Sequence, residues 1–244
     1  MGPMASLSTP SGARSPHGAR SAPTVGFDLD MTLIDSRPGI HAAFSALAAE
    51  TGVLIDADLA IQRLGPPLEL ELANWFPEDR IAEMVDRYRE IYPTFAITPT
   101  TEMPGAREAV AAVRKLGGRA LVVTAKYTPN AELHLAHLGI EPDEIIGNLW
   151  AEAKGEALRE HGASVYVGDH TGDVRGARAA GALSVAVPTG PCDAAELRAA
   201  GADVILPDLL AFPEWLRSYA TAEGEAAGEA DAADAADAAT ADFA

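Results

Sequence analysis

A chain of 244 residues, 48% of them apolar, is long enough to bury one sizeable core, or one core with a smaller satellite. Its formal net charge of −18 argues against nucleic acid and anionic membranes as partners, because both attract basic surfaces. The single cysteine, Cys192, excludes an internal disulfide and a thiolate zinc site, and no stretch approaches the ~20 consecutive apolar residues of a membrane span, so a cytoplasmic location is expected.

Residues 1–23 mix Ser, Pro, Gly, Ala and Arg with almost no large apolar side chain, and are expected to form a disordered leader. The first strand candidate, Thr24 to Phe27, runs directly into Asp28-Leu29-Asp30-Met31-Thr32-Leu33. From Arg37 to Met103 no strand pattern is evident. Ile40 to Glu50, Asp58 to Leu64, Leu68 to Trp75 and Glu78 to Ile91 instead read as helices, which predicts a helical domain over 37–103 inserted after the first strand of an α/β core. Asp56-Ala57-Asp58 within it reads as a helix start capped by Asp58.

Beyond this insert, strands and helices alternate. Strands are predicted over Arg119 to Val123, Ser164 to Val167, Leu183 to Val187 and, more weakly patterned, Asp203 to Leu206. Helices are predicted over Ala106 to Leu116, Pro129 to Leu138 and Asp173 to Ala180, each with glycine at or just past its end. The expected fold is a three-layer α/β/α, Rossmann-like core with a parallel sheet over 24–36 and 104–218, carrying the helical insert. Residues 219–244 are expected to be a disordered acidic tail, since seven acids and no base lie beyond 220.

Asp-x-Asp alone proves little in an acidic chain. Its placement at the carboxyl end of a strand matters more, because two other strand candidates also end in polar residues: Thr124 in one case, Asp169 followed by Asp173 in the other. In a parallel sheet these ends share one edge, where open α/β folds bind ligands. Lys154, one of three lysines in the chain with Lys115 and Lys126, offers a compact cation ahead of the Ser164 strand. Each residue also has a plainer reading: turn capping for Asp28 and Asp30, a strand-end hydroxyl for Thr124, a helix start for Asp169 and Asp173, a solvated side chain for Lys154. His134 and His137 read as a solvated or core-edge pair, His170 as a solvent-facing loop residue or a substrate contact, and Arg63 as a substrate-facing or simply exposed residue.

In order and spacing these residues resemble the four motifs of the haloacid dehalogenase-like superfamily, over about residues 24 to 210. The resemblance implies Asp28 as nucleophile, Asp30 as acid/base, Lys154 beside the reacting group, and Thr32, Thr124, Ala125 and Lys126 on the substrate; Arg63, just before Leu64-Gly65-Pro66-Pro67, is the candidate cap residue to meet it. It implies Mg²⁺ held by Asp28, Asp169, Asp173 and the backbone carbonyl of Asp30. The insert and Asp35-Ser36-Arg37-Pro38 resemble the helical cap of the phosphoglycolate phosphatase-like branch. Ala125 stands where relatives often have asparagine, and His170 where a small hydroxyl residue is more usual.

The implied activity is hydrolysis of a small phosphorylated metabolite, phosphoglycolate-like, through an aspartyl-phosphate, with no nucleic-acid or membrane partner. Asp30 would then have to begin the cycle protonated. The alternatives are a phosphoryl-transferring mutase and a non-catalytic domain that binds or accepts phosphate. Asp30 speaks against a dehalogenase, and the absence of lysine from 37–103 against a Schiff-base phosphonate hydrolase.

Overall fold

The computed structural model describes residues 22–222, so most of the expected leader and tail lies outside the described residues. Six strands form one parallel sheet: β1 (Thr24–Phe27), β4 (Arg119–Val123), β5 (Glu144–Ile146), β6 (Val165–Gly168), β7 (Leu183–Ala186) and β8 (Val204–Ile205), in the order β5-β4-β1-β6-β7-β8. Pairing runs Val25↔Ala120 and Phe27↔Val122 on one side of β1, and Val25↔Val165 and Phe27↔Val167 on the other. The central strands read as unbroken apolar runs because both faces are covered. On one face Phe27, Val122 and Val167 pack with α5 (Ala106–Lys115), α6 (Thr128–Leu138) and a helix over 212–222. On the other, Leu121, Val123 and Tyr166 meet α7 (Lys154–Glu160) and α8 (Thr171–Ala180).

Chain order explains where a ligand would sit. From β1 the sheet grows outward through β4 to β5, and the chain then crosses to the other side of β1 to lay down β6, β7 and β8. The order reverses at β1, and the crevice at such a reversal opens beyond the carboxyl ends of the strands.

Between β2 (Ile34–Asp35) and β3 (Thr101–Glu102), which pair antiparallel, lie α1 (Arg37–Thr51), α2 (Ala57–Ala60), α3 (Leu68–Leu72) and α4 (Glu78–Phe95). They bury their own cluster, including Phe44, Leu47, Leu72, Met84, Tyr88 and Tyr92. Gly52 closes α1 in the left-handed region, at φ 71°, where its N–H satisfies the Ala48 carbonyl.

Several expectations change. The cap of α2 is Asp56, whose carboxylate accepts from the Leu59 N–H at 2.9 Å, so Asp58 falls inside the first turn. Arg63 closes a 3-10 turn, Ile61–Arg63, and Leu64 is already extended. The segment read as free of strands contains β3, too short to show an alternation. β5 was not anticipated, since Glu144-Ile145-Ile146 is a three-residue edge strand with no period to read. The final helix runs past 218 to at least 222, so residues 219–222 are helical where a disordered tail was expected.

Candidate active site

The turn after β1 is tight. Thr32, Leu33 and Ile34 N–H groups all converge on the Leu29 carbonyl, and Met31 N–H donates to Ile34 at 2.8 Å. This holds Met31 at φ 63°, a left-handed conformation uncommon for a side chain with a Cβ. Thr189 fixes the turn from outside by donating its hydroxyl to the Met31 carbonyl at 2.6 Å. Asp28, with its N–H bonded to Val167 O at 2.8 Å, is thereby anchored in the sheet while its carboxylate faces the crevice.

Lys154 is wholly buried at the start of α7 and uses three donors: Asp28 Oδ1 at 2.9 Å, Asp173 Oδ1 at 2.6 Å and the Tyr166 hydroxyl at 2.8 Å. Tyr166 donates its own proton to the Val123 carbonyl at 2.6 Å, tying the lysine to the end of β4. Asp173 receives the His170 N–H on its second oxygen at 3.0 Å. Asp169, just beyond β6, accepts the Thr32 hydroxyl on Oδ1 at 2.8 Å. Two glycines make room: a Cβ on Gly168 would overlap Asp173, and one on Gly190 would overlap Asp169 Oδ2.

Three carboxylates, Asp28, Asp169 and Asp173, thus offer oxygens within 4.8 Å of one another, all buried, with Lys154 as their only bonded cation among the described residues. Burial pushes Asp28 up to about 7, with Asp173 and Asp30 adding to the rise and Lys154 opposing it. Burial, then the charges of Asp173 and Asp28, drives Asp169 well above the ordinary carboxyl range. Both oxygens of Asp173 are occupied, whereas Asp28 Oδ2 and Asp169 Oδ2 accept no hydrogen bond among the described residues. A charge-deficient, all-oxygen donor set with free lone pairs fits a hard divalent cation such as Mg²⁺.

Asp30 is held apart from this cluster. Lys126 Nζ grips both its oxygens, at 2.8 and 3.1 Å, and lies over the Tyr92 ring at 4.9 Å. Burial alone would raise Asp30, but the Lys126 ammonium outweighs it and the carboxyl sits below its ordinary value. The Lys126 ammonium thus favours the ionised form of Asp30, whereas the order of chemical steps calls for a protonated one at the start of the cycle. Thr124, buried at the end of β4, accepts the Lys126 N–H on its hydroxyl at 3.2 Å. Thr32 is fully buried with its hydroxyl committed to Asp169, and so supports a neighbour instead of reaching the crevice.

Ala125, Lys126 and Arg63 line a cavity of about 260 Å³ between this edge and the helical segment. Arg63 pairs with Glu71 at 2.6 Å and lies over Trp75. His134 and His137 part company: His137 is exposed, while His134 is fully buried, bonded to the Tyr92 hydroxyl at 3.0 Å, and pushed down to about 3 by burial and then by Lys126. His170 caps α8, accepting the Gly172 N–H on Nδ1 at 2.9 Å and packing on Trp150. Tyr166 and Thr189 were missed from sequence. A hydroxyl inside the apolar run Val165-Tyr166-Val167 was the one available sign of the former.

Residues 25–178 match the haloacid dehalogenase-like hydrolase family, and residues 149–212 match a second, overlapping description, HAD-hydrolase-like. The chain belongs to the haloacid dehalogenase-like hydrolase family. It is 32% identical over 178 residues to a tyrosine-protein kinase PtkA of Mycobacterium tuberculosis, covering 67% of this chain and 61% of that protein, so it spans about three-fifths of that relative's length. It is 30% identical over 206 residues to a phosphoglycolate phosphatase of Chromobacterium violaceum, covering 74% of this chain and 90% of the relative. Among solved structures, a haloacid dehalogenase-like family hydrolase from Streptococcus pneumoniae superposes with a TM-score of 0.69 at 29% identity, over 81% of this chain and 97% of that one.

Proposed function

We propose that this chain is a magnesium-dependent phosphomonoesterase that works through phosphorylation of Asp28, with the helices between β2 and β3 as a cap over the leaving group. The observation that carries the reading is the buried trio Asp28, Asp169 and Asp173 around Lys154 at the sheet's reversal point. Kinship with phosphoglycolate phosphatases supports it.

Asp28, Asp169 and Asp173 would hold Mg²⁺, which supplies the positive charge that lets a carboxylate approach a phosphate dianion. Asp28 forms a bond to phosphorus while the ester P–O bond breaks, its electron pair leaving with the alcohol oxygen. Asp30 protonates that oxygen. Water then attacks phosphorus, its proton passing to Asp30, and the Asp28–phosphorus bond breaks to free phosphate and the carboxylate. Lys154 balances charge on Asp28 throughout. Because Lys126 favours an ionised Asp30 before substrate arrives, the proton for the first step is taken up with the substrate, as the incoming dianion draws on Lys126 and raises Asp30. The proton that water returns to Asp30 is released as phosphate leaves and Lys126 pairs with Asp30 again.

The test is release of inorganic phosphate from a generic phosphate ester, with Mg²⁺ and with chelator, in wild type and Asp28→Asn. Mass spectrometry of acid-quenched protein should find phosphate on Asp28. Turnover that survives in Asp28→Asn rejects the reading. Transfer of the phosphoryl group to an acceptor other than water is a second reading, favoured by the 32% identity to proteins named as tyrosine-protein kinases. Counting free phosphate against phosphorylated acceptor separates the two.

A further inference from the structure

The cavity beside Asp30 is an unexpected receptacle for a short acidic metabolite. At about 260 Å³ it approaches the lower end, about 300 Å³, of pockets that enclose drug-sized ligands. Much of its wall is apolar or aromatic: Ile40, Phe44, Leu64, Leu68, Tyr88 and Tyr92.

Its charges cancel. Each basic residue on the wall is already matched to an acid on the same wall. Arg63 pairs with Glu71 at 2.6 Å, Arg89 with Glu69 at 3.2 Å, and Lys126 with Asp30 at 2.8 Å. Arg89 is further committed by stacking over Tyr127 at 4.6 Å, and its partnerless Nε has no open surface around it. Lys126, paired with Asp30, stands at the phosphoryl end, where a dianion arrives. No cation is left over among the described lining residues for a second anionic group on the substrate. What the wall does offer is Asn130, buried on α6, whose side-chain amide makes no hydrogen bond among the described residues.

We propose that the leaving group accepted here is a neutral alcohol with a bulky, partly aromatic body, and not a short hydroxy acid such as glycolate. This rests on the phosphatase reading above and narrows it to a substrate class. A buried carboxylate with no free cation would be penalised, whereas an apolar body gains from every surface it covers. Asn130 then hydrogen-bonds a neutral polar group on that body.

The decisive comparison is kcat/KM for benzyl phosphate against phosphoglycolate, both alkyl esters. Wild type should favour benzyl phosphate by about tenfold or more. Glu71→Gln, which frees Arg63, should move that ratio toward phosphoglycolate by about tenfold. Glu69→Gln, which frees Arg89, should move it the same way and stands in if the first variant is unstable. A wild-type preference for phosphoglycolate, or a ratio that neither variant moves, overturns the proposal. Calorimetric binding of the carbon isosteres phenethylphosphonate and phosphonopropionate to wild type with Mg²⁺ needs no turnover. Tighter phenethylphosphonate binding without any ester hydrolysis would leave the cavity's preference for a neutral body standing and sink the phosphatase reading. Brisk hydrolysis with tighter phosphonopropionate binding would do the reverse.

Discussion

The cluster around Lys154 makes the folded chain carry a pH-dependent penalty that a divalent cation should remove. Asp28 ionises at 3.8 in an unstructured chain and at about 7 in the fold. Between those values the folded state binds the extra proton, so stability attributable to Asp28 falls as pH rises and levels off above about 7. At about 1.36 kcal/mol per pH unit the full loss is about 4 kcal/mol, of which about 2 kcal/mol falls between pH 5 and 7 and about 3 kcal/mol between pH 5 and 8. His134 opposes it. Held near 3 against an ordinary 6.5, it is neutral in the fold, costs stability below pH 6.5 and ceases to cost above it. Lys154 is raised above its ordinary value, so its stabilisation is fully present below the unfolded-state pKa, throughout this window.

The total slope therefore mixes signs, and the informative quantity is wild type minus Asp28→Asn. Urea unfolding in chelator from pH 5 to 8 should show this difference moving against wild type by about 3 kcal/mol, since the histidine contribution is common to both. Removing Asp28 also relieves Asp169, whose rise it helps cause, which enlarges the difference. Added Mg²⁺ should stabilise wild type much more at pH 8 than at pH 5, because a bound dication holds the carboxylates ionised. A flat difference across pH 5 to 8 in chelator, or Mg²⁺ stabilisation equal at both ends, would refute the charge deficit assigned to this cluster.

Thr32→Val deletes the hydroxyl on Asp169 and should lower stability by about 1–3 kcal/mol and Mg²⁺ affinity by about 10–100-fold, read from unfolding curves and metal titration of activity; Thr32→Ser should retain both. Gly190→Ala forces Asp169 Oδ2 to move and should raise the Mg²⁺ concentration for half-maximal activity, with little change in helix content by circular dichroism. Lys126→Met removes the cation that holds Asp30 below its ordinary value, leaving burial to raise it. Its proton-donating form then persists to higher pH, and the limb of the pH–rate profile that requires this form should move upward. An unmoved limb would take Asp30 out of the acid role.

Much of the candidate site is legible in the sequence because its chemistry sits at strand ends. Thr24 to Phe27 and Arg119 to Val123 were bounded by apolar runs that stop at Asp28 and Thr124, and parallel pairing brings such ends to one edge. Asp169 and Asp173 were legible for the same reason. Illegible were contacts that depend on which face a residue presents and which neighbour is ionised. Nothing local to Lys126 says that it will take Asp30 at 2.8 Å, 96 positions away, and so favour that group's ionised form. Tyr166 looks like core filling until its hydroxyl is seen joining Lys154 to the Val123 carbonyl. The short pairings, β2 with β3 and β5 with β4, carry too few residues for periodicity to register, and β5 takes its register from the longer β4 beside it.

The two halves of the proposed machinery come from different parts of the chain, and this has a kinetic consequence. Asp28, Thr124, Lys154, Asp169 and Asp173 all belong to the sheet edge and its flanking helices, while Phe44, Arg63, Glu69, Glu71 and Tyr88 all lie between β2 and β3. Changes in the second group should alter which ester is preferred, through differences in leaving-group binding, with the metal requirement preserved. Changes in the first should lower turnover of every ester by a similar factor. Asp30 and Lys126 stand on the boundary, touching the cavity on one side and the turn after β1 on the other. Theirs are the positions where selectivity and rate should change together, because the ion pair that bears on Asp30's proton also lines the cavity.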